Sequence, residues 1–335
     1  MKRSSVIAAV LFAGVLCAPS AFADGRKPGS KLVYPVHRSG AGMFTVVCVT
    51  NTNTAPATPV SFGGSTNLHF EYANVVANPA DAFRPLGCVV FDRVEFLTPA
   101  DTLCVLTACH NATSAEGQEG YLTITAQDPS ATNMDWCFDH LIGSEMVINA
   151  AGAIYGINAM PLRCREAIYV MQPTAVMTMV GVRHEYLPST LMCDSFLAVA
   201  NSQLAIASLT DQPDHIRELY FEVWNDNEFA LSATLRMNCW FDQPLTAVSP
   251  LFSEAFLTST THAPDELDIN CDGLGDFETG WFRVSTRDIT TPGGQSLGIA
   301  QGIRSDSGMC GAITAGPVTS IDCARLLWEP RNVPE

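Results

Sequence analysis

The stretch GYLTITAQD, Gly120–Asp128, decides how this chain is read. It is short, rich in β-branched and aromatic residues, and opened and closed by turn formers, which is the composition of a β-strand. The same outline returns as GWFRVSTRD, Gly280–Asp288. Working outward, Thr45–Thr50, Asn67–Tyr72, Val89–Leu97, Tyr121–Ala126, Leu219–Trp224 and Trp281–Ser285 have the same character, set between clusters of Asn, Gly, Pro, Asp and Ser. Long helical periodicity is scarce. Ser195–Ser208 reads either as a helix or as two short strands.

Other segments repeat in the same order. VTNTN, Val49–Asn53, matches VWNDN, Val223–Asn227. Cys88-Val-Val-Phe91-Asp92 matches Cys239-Trp-Phe241-Asp242, and Leu106-Thr107 through His110 matches Leu257-Thr258 through His262. Spacing differences fall in a Thr/Pro/Gly-rich loop at 54–66 and an Asp-rich loop at 265–276. Matches in one order with gaps in loops are what a duplicated module leaves behind. The expectation is an all-β protein of two tandem antiparallel β-sandwich modules, Ig-like or jelly-roll-like. Residues 24–165 form the first, 191–335 the second, and 166–190 a packed connector around Met177. The repeat makes Cys88 and Cys239 equivalent positions.

Residues 1–23 read as a secretory signal. Lys2 and Arg3 precede an apolar run from Val6 to Leu16, and Ala21-Phe22-Ala23 is a small-x-small cleavage site. The run is too short to span a bilayer, and the next best candidate, Ala167–Val182, is interrupted by Gln172 and Pro173, so no transmembrane segment is expected. The chain is thus expected in the periplasm, on the cell surface or outside the cell. Removing Cys17 from the twelve Cys leaves an odd eleven, most of which should pair within modules in an oxidising compartment.

Net charge is −16 with only three Lys in 335 residues, which excludes a phosphate-backbone partner. Nearly half the residues are hydrophobic, so disorder is excluded as well.

Two motifs carry candidate chemistry. Val105-Leu-Thr-Ala-Cys-His110 resembles the histidine motif of trypsin-like serine proteases, and Arg304-Ser-Asp-Ser307-Gly308 resembles their nucleophile motif more distantly. The resemblance implies His110 as base and Ser307 as nucleophile. Against it, Ser305 stands where the family has an oxyanion-hole Gly and Met309 where a second Gly is usual. Asp128, Asp135 and Asp139 follow His110 too early and in polar loops. The second motif is Asp268-Ile-Asn270-Cys-Asp272-Gly273-Leu274-Gly-Asp276. It resembles the calcium loops of EF-hands and dockerins: side-chain oxygens at positions one, three, five and nine, Gly at six and the carbonyl of Leu274 at seven. The expected cofactor is a structural calcium ion held by Asp268, Asn270, Asp272, Leu274 and Asp276.

With the VTNTN turn, the Phe-Asp strand and the GYLTIT strand together, the chain resembles exported bacterial β-proteins of uncharacterised function. That resemblance implies no catalytic residues. The functional expectation is a non-catalytic secreted or envelope-associated structural, adhesion or binding protein. Its partner would be an envelope protein, a polysaccharide or a second copy of the chain. A divergent trypsin-like protease built on His110 and Ser307 is the alternative.

Overall fold

The structure is a computed structural model. It describes residues 27–40, 42–80, 85–111, 118–131, 133–149, 154–172, 177–185, 190–198, 202–209, 216–224, 230–258, 271, 278–287, 308–315 and 327–328. The fold is all-β, in several antiparallel sheets.

The first half contributes β1 (Lys31–Ser39), β2 (Met43–Asn51), β3 (Thr66–Val76), β4 (Gly87–Leu97), β5 (Thr102–Leu106), a single helical turn α1 (Thr107–His110), β6 (Gln118–Gln127), β7 (Leu141–Asn149), β8 (Ile154–Asn158) and β9 (Met160–Leu162). These strands form a five-stranded sheet in the order β4-β3-β6-β1-β9 and a four-stranded sheet in the order β5-β2-β7-β8. A hairpin follows, β10 (Cys164–Met171) and β11 (Met177–His184). The second half holds β12 (Thr190–Leu197), β13 (Ser202–Leu209), β14 (Ile216–Trp224), β15 (Ala230–Asn238), β16 (Trp240–Pro244), the helical turns α2 (Leu245–Val248) and α3 (Glu254–Leu257), β17 (Thr279–Arg287), β18 (Gly308–Ala315) and β19 (Leu327–Trp328). Its sheets run β15-β14-β17-β12-β19 and β16-β13-β18. All six segments read as strands from sequence lie in strands. Ser195–Ser208 is shared by β12 and β13 rather than helical.

Period-two alternation builds the cores. Leu68, Phe70 and Tyr72 of β3 and Leu122, Ile124 and Ala126 of β6 point to one side. There they meet Val47 and Val49 of β2 and Leu141 of β7, so the two first-half sheets bury their apolar faces in one cluster. The second half does the same with Leu204 and Ile206 of β13, Phe221 and Val223 of β14, and Phe282 and Val284 of β17. Full burial of each such side chain contributes about 1.5–3 kcal/mol. Gly143 lies in β7 because a Cβ there would come within 2.0 Å of the Tyr34 hydroxyl, which donates to the Cys48 carbonyl at 3.0 Å.

A third cluster joins the halves. Val33 and Val36 of β1, Val147, Ile157, Met160 and Leu162 pack against Ala205 and Ala207 of β13 and against Cys239 and Trp240. The Trp240 Nε1–H donates to the Pro35 carbonyl at 2.8 Å. The Arg38 guanidinium pairs with Asp242 and donates to Gln203 Oε1 at 3.0 Å, with both charged side chains almost wholly buried. Removing either partner of such a pair costs about 3–5 kcal/mol, because a charge is left buried alone.

Cys48–Cys104 and Cys137–Cys164 pair as local links, whereas Cys88–Cys239 bonds one half to the other. Cys88 and Cys239, expected as equivalent positions of a repeat, therefore lie on different elements, in β4 and between β15 and β16, and are partners. A cross-link over 151 residues restricts the unfolded chain by on the order of 4–5 kcal/mol in the chain-entropy model.

Most of the described residues of 166–190, expected as a connector, lie in the β10–β11 hairpin. Among the described residues no further strand pairs with it. Tyr169, Val170, Met171, Met177 and Val180 are 46–62% exposed. Among the described residues no helix is long and apolar enough to cross a membrane.

Two titratable groups are sealed near the inter-half contact. Burial lowers His37 from 6.5 to about 4, so its ring is neutral. Burial raises the Glu145 carboxyl well above its ordinary 4.5, only partly offset by the nearby Val36 backbone and the charge of Arg38. Above pH 4.5 the unfolded chain releases the Glu145 proton that the folded chain keeps, so stability falls as pH rises. His37 acts oppositely: its contribution is complete above 6.5 and is lost as pH falls through about 4. Glu145→Gln should therefore stabilise the protein most at pH 7.5, with the gain vanishing as pH approaches 4.5. Urea midpoints measured across pH 4–8 check this, and a gain independent of pH would refute it.

Candidate functional site

His110 ends α1, where the chain turns from β5 towards β6. Its ring is buried over Phe70, edge to face at a centroid distance of 4.6 Å. Nδ1 lies 2.8 Å from the Tyr72 hydroxyl and Nε2 lies 3.2 Å from Glu95 Oε1. The Glu95 carboxylate accepts, so Nε2 carries the hydrogen and donates to it, and the Tyr72 hydroxyl donates to the Nδ1 lone pair. Burial, and then the charge of Arg93, lower His110, while the Glu95 contact opposes them. Arg93 donates from Nε to Glu95 Oε1 at 2.9 Å and from Nη1 to the His110 carbonyl at 3.3 Å. Next to it, Asn111 donates to Asn74 Oδ1 at 2.7 Å. The imidazole is a keystone between the core and β4, with both nitrogens engaged.

The other sequence-predicted site residues cannot be set beside it. Ser307, Asp268, Asn270, Asp272, Leu274 and Asp276 lie outside the described residues. Cys271, in the middle of the Asp-rich loop, is exposed, with φ at +61°. The VTNTN turn has a structural job. Buried Asn51 donates to the carbonyls of Gly64 and Thr98 at 2.7 and 2.9 Å and accepts from the Asn53 N–H at 2.9 Å, tying down the loop between β2 and β3. Trp224 and Trp281 stack on each other at 3.9 Å with their planes 4° apart, on the outer face of the β14–β17 pair.

The alternation that sends Phe70 and Ile124 into the core sends a polar set outwards. His69 and Glu71 of β3, Thr125 and Gln127 of β6, Lys31 of β1 and Asp92 and Val94 of β4 line an open groove of about 530 Å³, bordered by Arg93, which stands opposite Phe70 on the other face and serves Glu95 and His110. Asn133 and Asp135, in the loop after β6, wall one side. Asn133 takes φ of +58°, a conformation Asn tolerates better than most residues, where the loop folds back. The groove is internally bonded. Thr123 Oγ1 donates to Glu71 Oε2 at 2.7 Å and Gln127 Nε2 donates to Asp135 Oδ1 at 3.1 Å. Lys31 Nζ lies 3.9 Å from Glu71, and His69 Nε2 lies 3.7 Å from Asp92. Burial raises the Asp135 carboxyl, against the Gln127 hydrogen bond and the charges of Lys31 and His69.

The sequence reading passed over this groove. Its residues come from β1, β3, β4 and β6, spread along the chain from Lys31 to Gln127, and only the strand register aligns them: Glu71 with Asp92 and Thr123, His69 with Val94 and Thr125, Lys31 with Thr125. The one local signal was the polar half of β3, Asn67, His69 and Glu71, every second residue. Among the described residues no three His, Cys, Asp or Glu side chains form a metal-ligand set.

These features define an all-β protein with a solvent-open polar groove on a five-stranded sheet. Comparison with family models, curated proteins and solved structures finds no match to the chain.

If Tyr72 holds His110 in place, Tyr72→Phe leaves a buried ring nitrogen without its donor. The expected cost is about 1–3 kcal/mol in denaturant unfolding. A loss below about 0.5 kcal/mol would show that the Tyr72 contact does not hold the ring.

Proposed function

We propose that this chain is an exported, non-catalytic protein of the periplasm, cell surface or surrounding medium, serving as a structural, adhesion or binding component. The observation that carries the reading is the commitment of both His110 nitrogens, one to Tyr72 and one to Glu95, inside a buried cluster. A serine protease's base accepts from its serine hydroxyl, and here that lone pair is taken by the buried Tyr72 hydroxyl instead. The exposed apolar hairpin and the polar groove favour a role that presents surface to a partner, whether an envelope protein, a polysaccharide or a second copy.

We further infer that the protein consists of two β-sandwich modules that arose by duplication. Supporting this, β4-β3-β6-β1 and β15-β14-β17-β12 take the same places in chain order, as do β5-β2-β7 and β16-β13-β18, while β8 has no counterpart among the described residues. The register of β1 shifts between Tyr34 and His37, with His37 opposite Gly120; that of β12 shifts between Cys193 and Phe196, with Phe196 opposite Gly280. Aligned through these strands, Gly120 does correspond to Gly280. Asp92, however, corresponds to Ser232 rather than Asp242, and Ala73 to Trp224.

The runner-up, a divergent serine protease, is tested with a fluorophosphonate probe. No labelling of Ser307 is expected. Labelling that disappears in both Ser307→Ala and His110→Ala would sink the non-catalytic reading.

The Asp-rich loop is proposed to hold a structural calcium ion through Asp268, Asn270, Asp272, the Leu274 carbonyl and Asp276, on the strength of its oxygen spacing. Like charges gathered in one short loop repel unless a cation neutralises them. Millimolar calcium should raise the melting temperature of the native chain but not of Asp272→Ala. An equal shift in both would rule the site out.

A further inference from the structure

We infer that the groove across β4, β3, β6 and β1 binds a neutral glycan segment, with the exposed ring of Phe96 as its stacking platform. The inference rests on the binding-protein reading and assigns that reading a site and a ligand class.

Three properties of the groove lead there. The first is internal pairing. Lys31 lies 3.9 Å from Glu71 and His69 lies 3.7 Å from Asp92, while the Arg93 guanidinium is held by Glu95 and the His110 carbonyl. Glu71, Asp92 and Asp135 repel an anionic ligand, and any charged ligand would have to break contacts already made. The second is the density of donors and acceptors. Three carboxylates, the side-chain amides of Gln127 and Asn133, the Lys31 ammonium, an imidazole and a threonine hydroxyl line one concavity in which Val94 is the apolar member. Vicinal hydroxyls, each able to donate and accept at once, suit such a lining, because one carboxylate or amide can bond two neighbouring hydroxyls. An apolar side chain or lipid tail would leave those groups desolvated and unmatched, which costs free energy for each one.

The third property is the rim. Register pairs His69 with Val94 and Asn67 with Phe96, so period two puts Phe96 on the groove's face one step beyond Val94. Phe96 is 50% exposed. A flat apolar ring beside a polar trough matches a sugar, whose C–H face is apolar and whose edge is hydroxylated. The volume of about 530 Å³ falls within the range of small-ligand sites. A peptide is disfavoured, because its usual mode against a sheet is addition to an open edge, whereas this floor is made by side chains of the interior strands β3 and β6.

The test uses the full chain. Cellotetraose, maltotetraose and chitotetraose are titrated by calorimetry and examined by saturation-transfer NMR, alongside an anionic heparin-derived tetrasaccharide and a cationic oligolysine. At least one neutral tetrasaccharide should bind saturably. Asp135→Asn and Phe96→Ala should each weaken that binding about tenfold, with melting temperatures near the native value, and Trp281→Ala should leave it unchanged. Binding of none of the neutral sugars, preference for either charged probe, or affinity unaffected by both groove variants would overturn the assignment. The bound oligosaccharide is then recovered and sized. Intact sugar agrees with a non-catalytic protein, whereas shortened sugar would overturn that reading and leave the glycan site standing. Failure to bind would remove the glycan site alone.

Discussion

Strand β1 is buried along all nine of its residues, and most of the molecule follows from that. A strand in a two-layer arrangement ordinarily hides one face. Here Leu32 and Tyr34 enter the first-half core while Val33 and Val36 enter the core between the halves. Apart from Lys31, which reaches the groove, both faces are covered, so a polar group on the strand needs a partner or a neutral form. Arg38 finds Asp242 and Gln203, Thr45 accepts from the Arg38 backbone N–H at 2.9 Å, and His37 is held neutral by burial. The cost of burying a lone charge is what makes these contacts obligatory.

The same strand organises the surface. Because β1 sits beside β6 and β6 beside β3, Lys31 is brought level with Thr125 and His69, and the polar halves of four strands merge into one groove. The far end of that sheet face is apolar: Val75 and Tyr121 pack against the inter-half cluster together with Cys88. One face of one sheet therefore serves two purposes, divided along its length. The cross-link at Cys88 ties β4, an edge of the groove, to the second half.

His110 illustrates how a local motif misleads. Leu-Thr-Ala-Cys-His read alone resembles a protease signature. In the fold, the Thr-Ala-Cys-His turn buries the imidazole over Phe70, and Tyr72 and Glu95 arrive from β3 and β4 to occupy it. A side chain's chemistry is set by what fills its lone pairs, and those partners lie 38 and 15 residues away in sequence.

Sequence by itself determined the class of local structure. Short β-branched and aromatic runs between turn residues can form little except strands, and Thr45–Thr50, Asn67–Tyr72 and Leu219–Trp224 did so, because that preference is local. The turn role of Asn51 was legible for the same reason. Tertiary structure alone decided what those strands face. The pairing of Cys88 with Cys239, the burial of Glu145, the hairpin left exposed at Tyr169 and Met171, and the groove from Lys31 to Asp135 all depend on strand register and on which sheet face meets another. Register is fixed by contacts between residues far apart in the chain, and a slip of one residue would exchange the inner and outer faces of a strand. No local composition records that choice.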